Sequence, residues 1–338
     1  MLGPRHLNGH PGPVRRSRAG LASGPPAPGP ATAAARAGLV TVLALALAAC
    51  SAPSHQVGSP ASSPTAEDGG PAPGTEAALP LAELAGLVVE IRQSRSDWAA
   101  RVVQLRVVNG TGAELSVTTA GLAAPTVEGT ATWEPTAPRR VPEGRHRDLS
   151  VPLGPPRCPA PTGEQAGPSV TLGLADAEGR TARLEVVPAD PQGHLPRIHG
   201  EDCAGMALRE AADVRLDRLT LEDRDGALIG VVELSVTPRA GGPALGIGRI
   251  DGTVLLAPVG GTSWSPPELA QVTAPTTVRL ELVPARCDAH AVAEDKRGTF
   301  LGLHTTVDGV AQPVVYLDSG DELRGELHDY VAQACGWG

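Results

Sequence analysis

The stretch Ile229-Gly230-Val231-Val232-Glu233-Leu234-Ser235-Val236 is a short apolar run that ends in polar–apolar alternation, which is typical of a β-strand. It has an upstream counterpart in Val102-Val103-Gln104-Leu105-Arg106-Val107-Val108. Similar segments bounded by Gly and Pro predict further strands at 115–117, 170–172, 183–186, 278–282 and 314–317. Hairpin turns are predicted between such segments at Asn109-Gly110, Glu178-Gly179, Asp225-Gly226 and Asp308-Gly309.

The two matching strands belong to an internal repeat. Trp133-Glu134-Pro135, Arg157-Cys158 and Cys203 recur in the same order, with nearly the same spacings, as Trp264-Ser265-Pro266, Arg286-Cys287 and Cys335. Landmarks that recur in one order indicate that a single domain occurs twice.

The fold class that these features predict is all-β, with two tandem immunoglobulin-like β-sandwich domains at residues 81–204 and 213–338. A short C-terminal helix is expected, because Ser319 and Glu322 form a capping-box pattern ahead of an apolar stripe that starts at Leu323. At the equivalent place in the first copy, Pro196 stands between Leu195 and Ile198, which predicts only a single turn.

The N-terminal segment has the order of a secretory signal. An Arg-bearing leader precedes an uncharged run from Ala37 to Ala49, which is short for a membrane-spanning helix. Leu47-Ala48-Ala49-Cys50 has the form of a lipobox, so residues 1–49 are predicted to be a lipoprotein signal peptide and Cys50 the lipidated N-terminus. Ala46-Leu47-Ala48 is also an Ala-x-Ala site, which leaves ordinary secretion open.

Residues 50–80 are rich in Pro, Ser and Gly and carry little that could be buried, which predicts a disordered tether after the lipidated cysteine. The expected location is the extracytoplasmic face of the cell membrane, with the lipid on Cys50 as the membrane contact.

Four cysteines remain once Cys50 is set aside, an even number that suits disulfides in an exported chain. Three pairings are possible, and the duplication selects Cys158–Cys203 and Cys287–Cys335.

The net charge and the absence of known catalytic motifs exclude several classes of function. The net charge of −9 argues against nucleic acid as a partner. The sequence shows no phosphate loop, HExxH motif, paired CxxC zinc motif or Gly-x-Ser-x-Gly elbow, so neither a cofactor nor a catalytic residue is predicted.

The segment after Cys287 differs between the two copies and is the candidate interaction loop. Asp288, His290, Glu294 and Asp295 could ligate a metal or share a proton, whereas the first copy has Pro159-Ala160-Pro161-Thr162-Gly163-Glu164 there. The favoured interpretation is a solvated loop in which Asp288, Lys296 and Arg297 pair locally. A surface for a protein partner is the other alternative.

The same segment, Arg286-Cys287-Asp288-Ala289-His290-Ala291-Val292-Ala293-Glu294-Asp295-Lys296-Arg297-Gly298, together with the lipobox and the Trp-x-Pro landmarks, resembles a group of actinobacterial exported proteins and lipoproteins. The resemblance covers most of residues 81–338 and implies location, but it brings no established activity, ligand or catalytic residue.

The sequence therefore predicts a cell-envelope lipoprotein that binds or structurally contacts an envelope protein or a cell-wall component. The alternative is a metal-binding or enzymatic exported protein centred on Asp288, His290, Glu294 and Asp295.

Overall fold

The computed structural model describes residues 77–159, 167–293 and 297–337. The signal peptide, Cys50 and residues 51–76 of the expected tether lie outside the described residues. Within the described ranges, no helix is long and apolar enough to cross a membrane.

The first sandwich consists of two antiparallel sheets. Its strands are β1 (Leu87–Arg92), β2 (Val102–Asn109), β3 (Leu115–Ala123), β4 (Thr130–Trp133), β5 (Arg139–Val141), β6 (His146–Pro152), β7 (Ser169–Asp176) and β8 (Thr181–Val186). One sheet has the order β1-β2-β6, and the other has the order β4-β3-β7-β8 with β5 also paired to β3.

The second sandwich repeats this arrangement. Its strands are β9 (Ala212–Arg224), β10 (Ala227–Pro238), β11 (Leu245–Asp251), β12 (Leu256–Pro258), β13 (Ser263–Trp264), β14 (Thr276–Pro284), β15 (Leu301–Val307), β16 (Val310–Ala311) and β17 (Val315–Leu317). The sheet orders are β12-β14-β10-β9 and β13-β11-β15-β16, with β17 also paired to β15.

The strand orders confirm the predicted fold class. Counted along each copy, the first, second and sixth strands share one sheet and the third and seventh share the other, which gives the two antiparallel sheets of an immunoglobulin-like sandwich. The same irregularity recurs as well. The β3–β7 ladder shifts register between Val117 and Thr119, and the β11–β15 ladder shifts between Ile247 and Arg249. A bulge at the same point in both copies is a structural mark of the duplication.

Each sandwich has its own aliphatic core. Residues such as Leu105, Leu149 and Leu172 are fully buried in the first, and Leu234, Leu280 and Ile247 are fully buried in the second. Trp133 and Trp264 pack against the margins of these cores at equivalent strand positions.

Both predicted disulfides are present. Cys158 pairs with Cys203 and Cys287 pairs with Cys335, so one bridge ties the chain after β6 to the helix at 194–211 and the other ties the chain after β14 to the end of the helix at 320–334. Cross-links of this kind stabilise a fold mainly by restricting the unfolded chain.

Three helices accompany the strands: α1 (His194–Ala211), α2 (Ala289–Ala293) and α3 (Gly320–Ala334). The prediction of a single turn in the first copy is wrong, because α1 has 18 residues. Pro196 lies in the first turn, where its missing N–H costs no helical hydrogen bond. The Asp190 carboxylate caps this end by accepting hydrogen bonds from the backbone N–H groups of His194 and Leu195, both at 2.8 Å.

The C-terminal helix α3 is confirmed, and Leu323, Leu327, Tyr330 and Val331 form its buried face. The predicted capping box is wrong, because the Ser319 side chain makes no capping hydrogen bond. Gly320 has a φ of 74°, and its N–H is bound by the Asp318 carboxylate at 3.1 Å, so the chain turns sharply before the helix starts.

The end of the predicted disordered tether, residues 50–80, was also placed too far toward the C-terminus. Leu79 is buried, and its backbone N–H donates to the Thr181 carbonyl at 2.8 Å. Residues 77–80 therefore belong to the first sandwich.

Candidate functional site

The candidate interaction loop is only partly within the described residues, because Glu294, Asp295 and Lys296 fall outside them. Asp288 and His290 are exposed, and an Asp288 carboxylate oxygen accepts a hydrogen bond from the backbone N–H of His290 at 3.0 Å. This contact begins the short helix α2, which gives Asp288 a local structural role.

Arg297, expected to pair within its own loop, reaches the first sandwich. Its guanidinium lies between two aromatic rings, 4.3 Å from the centroid of Trp98 and 4.1 Å from that of Tyr316. It also lies 3.6 Å from a carboxylate oxygen of Glu201 on α1. Burial lowers the pKa of the Arg297 guanidinium, and the charge of Glu201 opposes that shift. The side chain thus joins elements of both sandwiches.

The β1–β2 connection holds Trp98 in place. Gln104, a buried residue of β2, donates to the Asp97 carboxylate at 2.6 Å and accepts from the backbone N–H of Ser94 at 2.9 Å. Arg197 of α1 also lies over the Trp98 ring, with its guanidinium 4.9 Å from the ring centroid. Trp98 therefore makes cation–π contacts with two arginines that come from different parts of the chain.

A cleft of about 610 Å³ opens beside this stack, a size that suits a small-molecule ligand. The chain has four Trp, two Tyr and one Phe, and three of these aromatic residues, Trp98, Phe300 and Tyr316, lie on the wall that this cleft shares with a second cavity. Aromatic side chains concentrated in a chain so poor in them mark the cleft as a candidate binding site.

Two arginines give the cleft a positive lining. Arg95, from the β1–β2 connection, and Arg286, beside the second disulfide, are both exposed. Within the ranges that the structure describes, neither guanidinium has a hydrogen-bonded or ion-paired partner. The acidic lining residue Asp251 is already engaged, by Arg249 at 2.9 Å and by His304 at 2.6 Å.

The second cavity, of about 410 Å³, also contacts Arg297 and has a different charge arrangement. There Asp202 pairs with Arg101 at 2.7 Å, Glu201 with Arg197 at 2.8 Å, and Asp318 with Arg324 at 2.9 Å. The carboxylates of this second cavity are compensated by arginines of the same chain. Among the described residues, the second cavity has one arginine side chain without a partner, Arg209, whereas the larger cleft has two, Arg95 and Arg286.

Sequence reasoning missed this cleft. Arg95, Trp98, Phe300 and Tyr316 occupy three separate segments, and only the packing of the two sandwiches brings them together. The one signal of the cleft in the sequence was its small number of aromatic residues, because each of them is then a candidate for a binding site.

No protein-family model matches the chain, and no curated protein matches it at a significant level. Weak similarity to solved structures exists. The YadV chaperone matches at 10% identity and a TM-score of 0.17, over 64% of this chain and 92% of that one. A red sea bream transglutaminase matches at 12% identity and a TM-score of 0.18, over 70% and 32%. The BSP domain of a biofilm-associated protein matches at 7% identity and a TM-score of 0.20, over 74% and 60%. Similarity this weak says nothing about ligand or activity.

Proposed function

We propose that this chain is a lipid-anchored binding module of the cell envelope, with Cys50 as the lipidated residue and the two sandwiches on the extracytoplasmic side of the membrane. The lipobox and the Pro-, Ser- and Gly-rich segment that follows it support the anchor. The two disulfides support an oxidising, extracytoplasmic location.

The proposed ligand is a small molecule that carries an anionic group on a ring. The observation that carries this proposal is the pair of unpartnered arginines, Arg95 and Arg286, on one cleft with Trp98, Phe300 and Tyr316. Guanidinium groups bind carboxylate and phosphate through charge-assisted hydrogen bonds, and aromatic side chains add apolar contact area for a ring. A sugar phosphate and an aromatic carboxylate share this chemistry.

The ligand proposal can be tested by titration calorimetry with the purified chain. The probes are N-acetylglucosamine 1-phosphate and 4-hydroxybenzoate, with N-acetylglucosamine and inorganic phosphate as controls that each lack one half of the chemistry. We expect one of the ring-bearing anions to bind more tightly than both controls. Whichever probe binds shows whether the ligand is a sugar phosphate or an aromatic carboxylate.

Variants of the two cleft arginines test whether the ligand binds in the cleft. Arg95→Ala and Arg286→Ala should each weaken it by at least about tenfold, since a hydrogen bond to a charged group contributes roughly 1.5–3 kcal/mol. Arg145→Ala is the matched control, because Arg145 is exposed and precedes β6 at the end remote from α1. Binding that is indifferent to both cleft variants, or the failure of both ring-bearing anions to bind, would overturn the ligand proposal.

The anchor is tested separately by fractionation of bacteria that express the full chain. The wild-type protein should partition with membranes and carry acyl mass on a chain that starts at Cys50, because two or more acyl chains hold a protein stably at a bilayer. Cys50→Ala should move the protein to the soluble fraction. An unacylated wild-type chain that starts at Ala49 would establish secretion and refute the anchor.

A further inference from the structure

A cluster of soft ligand atoms surrounds the first disulfide. His199 and Cys203 lie one turn apart on α1, and the His199 Nε2 atom is 3.2 Å from the Cys203 Sγ atom. Cys158 completes the group, and the three candidate ligand atoms all lie within 4.8 Å of one another. Each of the three residues is half-buried, so the cluster is reachable from solvent.

The spacing suits a tetrahedral metal ion. Zn²⁺ binds imidazole nitrogen at about 2.0–2.1 Å and thiolate sulfur at about 2.3 Å, which places two such ligands roughly 3.5 Å apart. The observed contact of 3.2 Å between His199 and Cys203 is close to that separation. Two ligands at i and i+4 on one helix face also need little rearrangement to chelate an ion.

The second disulfide lacks this feature. The residue four positions before Cys335 is Val331, which is fully buried in the second core. Among the residues that the structure describes, Cys158, His199 and Cys203 form the only group with the proximity that a metal ion requires. A histidine is therefore not needed to close this type of bridge.

We propose that Cys158, His199 and Cys203 form a redox-controlled site for a thiophilic d¹⁰ cation such as Zn²⁺. A dithiol reductant transfers two electrons to the Cys158–Cys203 bridge and becomes a cyclic disulfide, which leaves two protein thiols. Metal binding then releases two protons as two thiolates and the neutral His199 imidazole coordinate the ion. In the oxidised chain the two sulfurs are bonded to each other and no site exists. This inference depends neither on the cleft nor on the lipid anchor.

His199 must change partner for this to happen. In the oxidised structure its Nε2 atom is also 2.9 Å from the Arg157 carbonyl oxygen. A coordinating Nε2 atom has no proton to donate, so metal binding replaces the contact with the Arg157 carbonyl.

The test uses the purified chain with Cys287→Ser and Cys335→Ser, which leaves the first bridge as the only disulfide. The protein is reduced with dithiothreitol, desalted without oxygen and titrated with Co²⁺, whose thiolate complexes absorb strongly, and then with Zn²⁺ in competition. We expect one equivalent of Co²⁺ with thiolate-to-metal absorption, displacement by Zn²⁺, and no binding before reduction.

His199→Ala in the same background should raise the Zn²⁺ dissociation constant by at least about 10- to 100-fold, the typical cost of losing even an outer partner of a metal ligand. The reciprocal Cys158→Ser, Cys203→Ser chain retains the second bridge and should bind no stoichiometric metal after reduction. Circular dichroism reports whether each reduced chain keeps its β structure. Binding that is unaffected by His199→Ala, equal binding by the reciprocal chain, or a reduced chain that unfolds and takes up no metal would each overturn the proposal.

Discussion

At the scale of single residues, Arg297 contacts three segments that are far apart in the sequence. Its guanidinium contacts Trp98 of the first sandwich, Tyr316 of the second and Glu201 of the helix between them. A planar, permanently charged group can stack on two rings at once, whereas an ammonium group is a point charge without a plane. The geometry thus requires arginine rather than a positive charge alone.

We expect Arg297→Ala to lower the free energy of unfolding by about 1–3 kcal/mol, since each partly buried cation–π contact contributes roughly 0.5–2 kcal/mol. Arg297→Lys should recover only part of the loss. Urea unfolding followed by tryptophan fluorescence measures both effects, with Arg145→Ala as a surface control expected within about 0.5 kcal/mol of wild type. Full recovery by lysine would show that charge, and not stacking, is what matters.

His194, at the start of α1, makes stability depend on pH. Burial lowers the pKa of its imidazole below the ordinary value of 6.5; the nearby Asp190 charge opposes that shift, while Arg197 and Arg92 reinforce it. The unfolded chain therefore binds this proton more tightly than the folded one, so the contribution is present above about pH 6.5 and is lost as the pH falls. We expect the free energy of unfolding to fall less between pH 7.5 and 5 in His194→Gln than in wild type. Identical pH profiles would contradict this assignment.

At the scale of elements, the strands were more predictable than the helices. Alternating apolar residues at 115–117, 170–172 and 278–282 identified β3, β7 and β14, because a strand with one buried face has a period of two residues. Helix α1 was missed because its Pro196 looked like a break, although proline is well tolerated in a first turn. Its capping residue, Asp190, lies four positions before the helix starts, outside the pattern of a capping box.

The candidate site was less predictable than the fold. The sequence singled out the loop after Cys287 for its acidic residues and His290. Its Arg297 has described contacts with Trp98, Tyr316 and Glu201, which lie far apart in sequence. Contacts of this kind depend on how the two sandwiches pack, which neither periodicity nor composition specifies.

Helix α3 packs closely against the second sandwich where β10 has a glycine. A methyl group added to Gly230 of β10 would lie 2.7 Å from a Leu282 methyl carbon and 3.1 Å from the Tyr330 ring. The Tyr330 hydroxyl donates to the Leu282 carbonyl at 2.8 Å, which fixes the ring in that place. We expect Gly230→Ala to destabilise the chain by about 1–3 kcal/mol through overpacking.

Gly248→Ala is the matched control for Gly230→Ala, since Gly248 lies in β11, the next strand along the chain, and an added methyl group would meet nothing within 4 Å. Thermal unfolding followed by circular dichroism compares the two. Equal changes in melting temperature would show that loss of glycine in a strand, and not the contact with Tyr330, determines the result.

At the scale of the whole molecule, α1 is shared by both sandwiches. Its N-terminal residues Leu195 and Ile198 are buried in the first core, and its later residues Ala204, Leu208 and Ala211 are buried in the second. The helix then continues into β9 without a linker, since α1 ends at Ala211 and β9 starts at Ala212. The Arg101–Asp202 pair adds a further contact between the first sandwich and this helix.

A helix buried in two cores should make the two sandwiches unfold as one cooperative unit, because melting either core exposes apolar residues of α1 and removes support from the other. We expect a single calorimetric transition for the wild-type chain. Ile198→Ala and Leu208→Ala should each lower the temperature of that whole transition, as a buried Ile or Leu contributes about 2–5 kcal/mol relative to Ala. Val187→Ala, at a side chain that is 80% exposed, is the control and should leave the transition unchanged. Two resolved transitions, with Ile198→Ala moving only one and Leu208→Ala only the other, would mean that α1 does not couple the sandwiches and that the cleft between them can open without unfolding either.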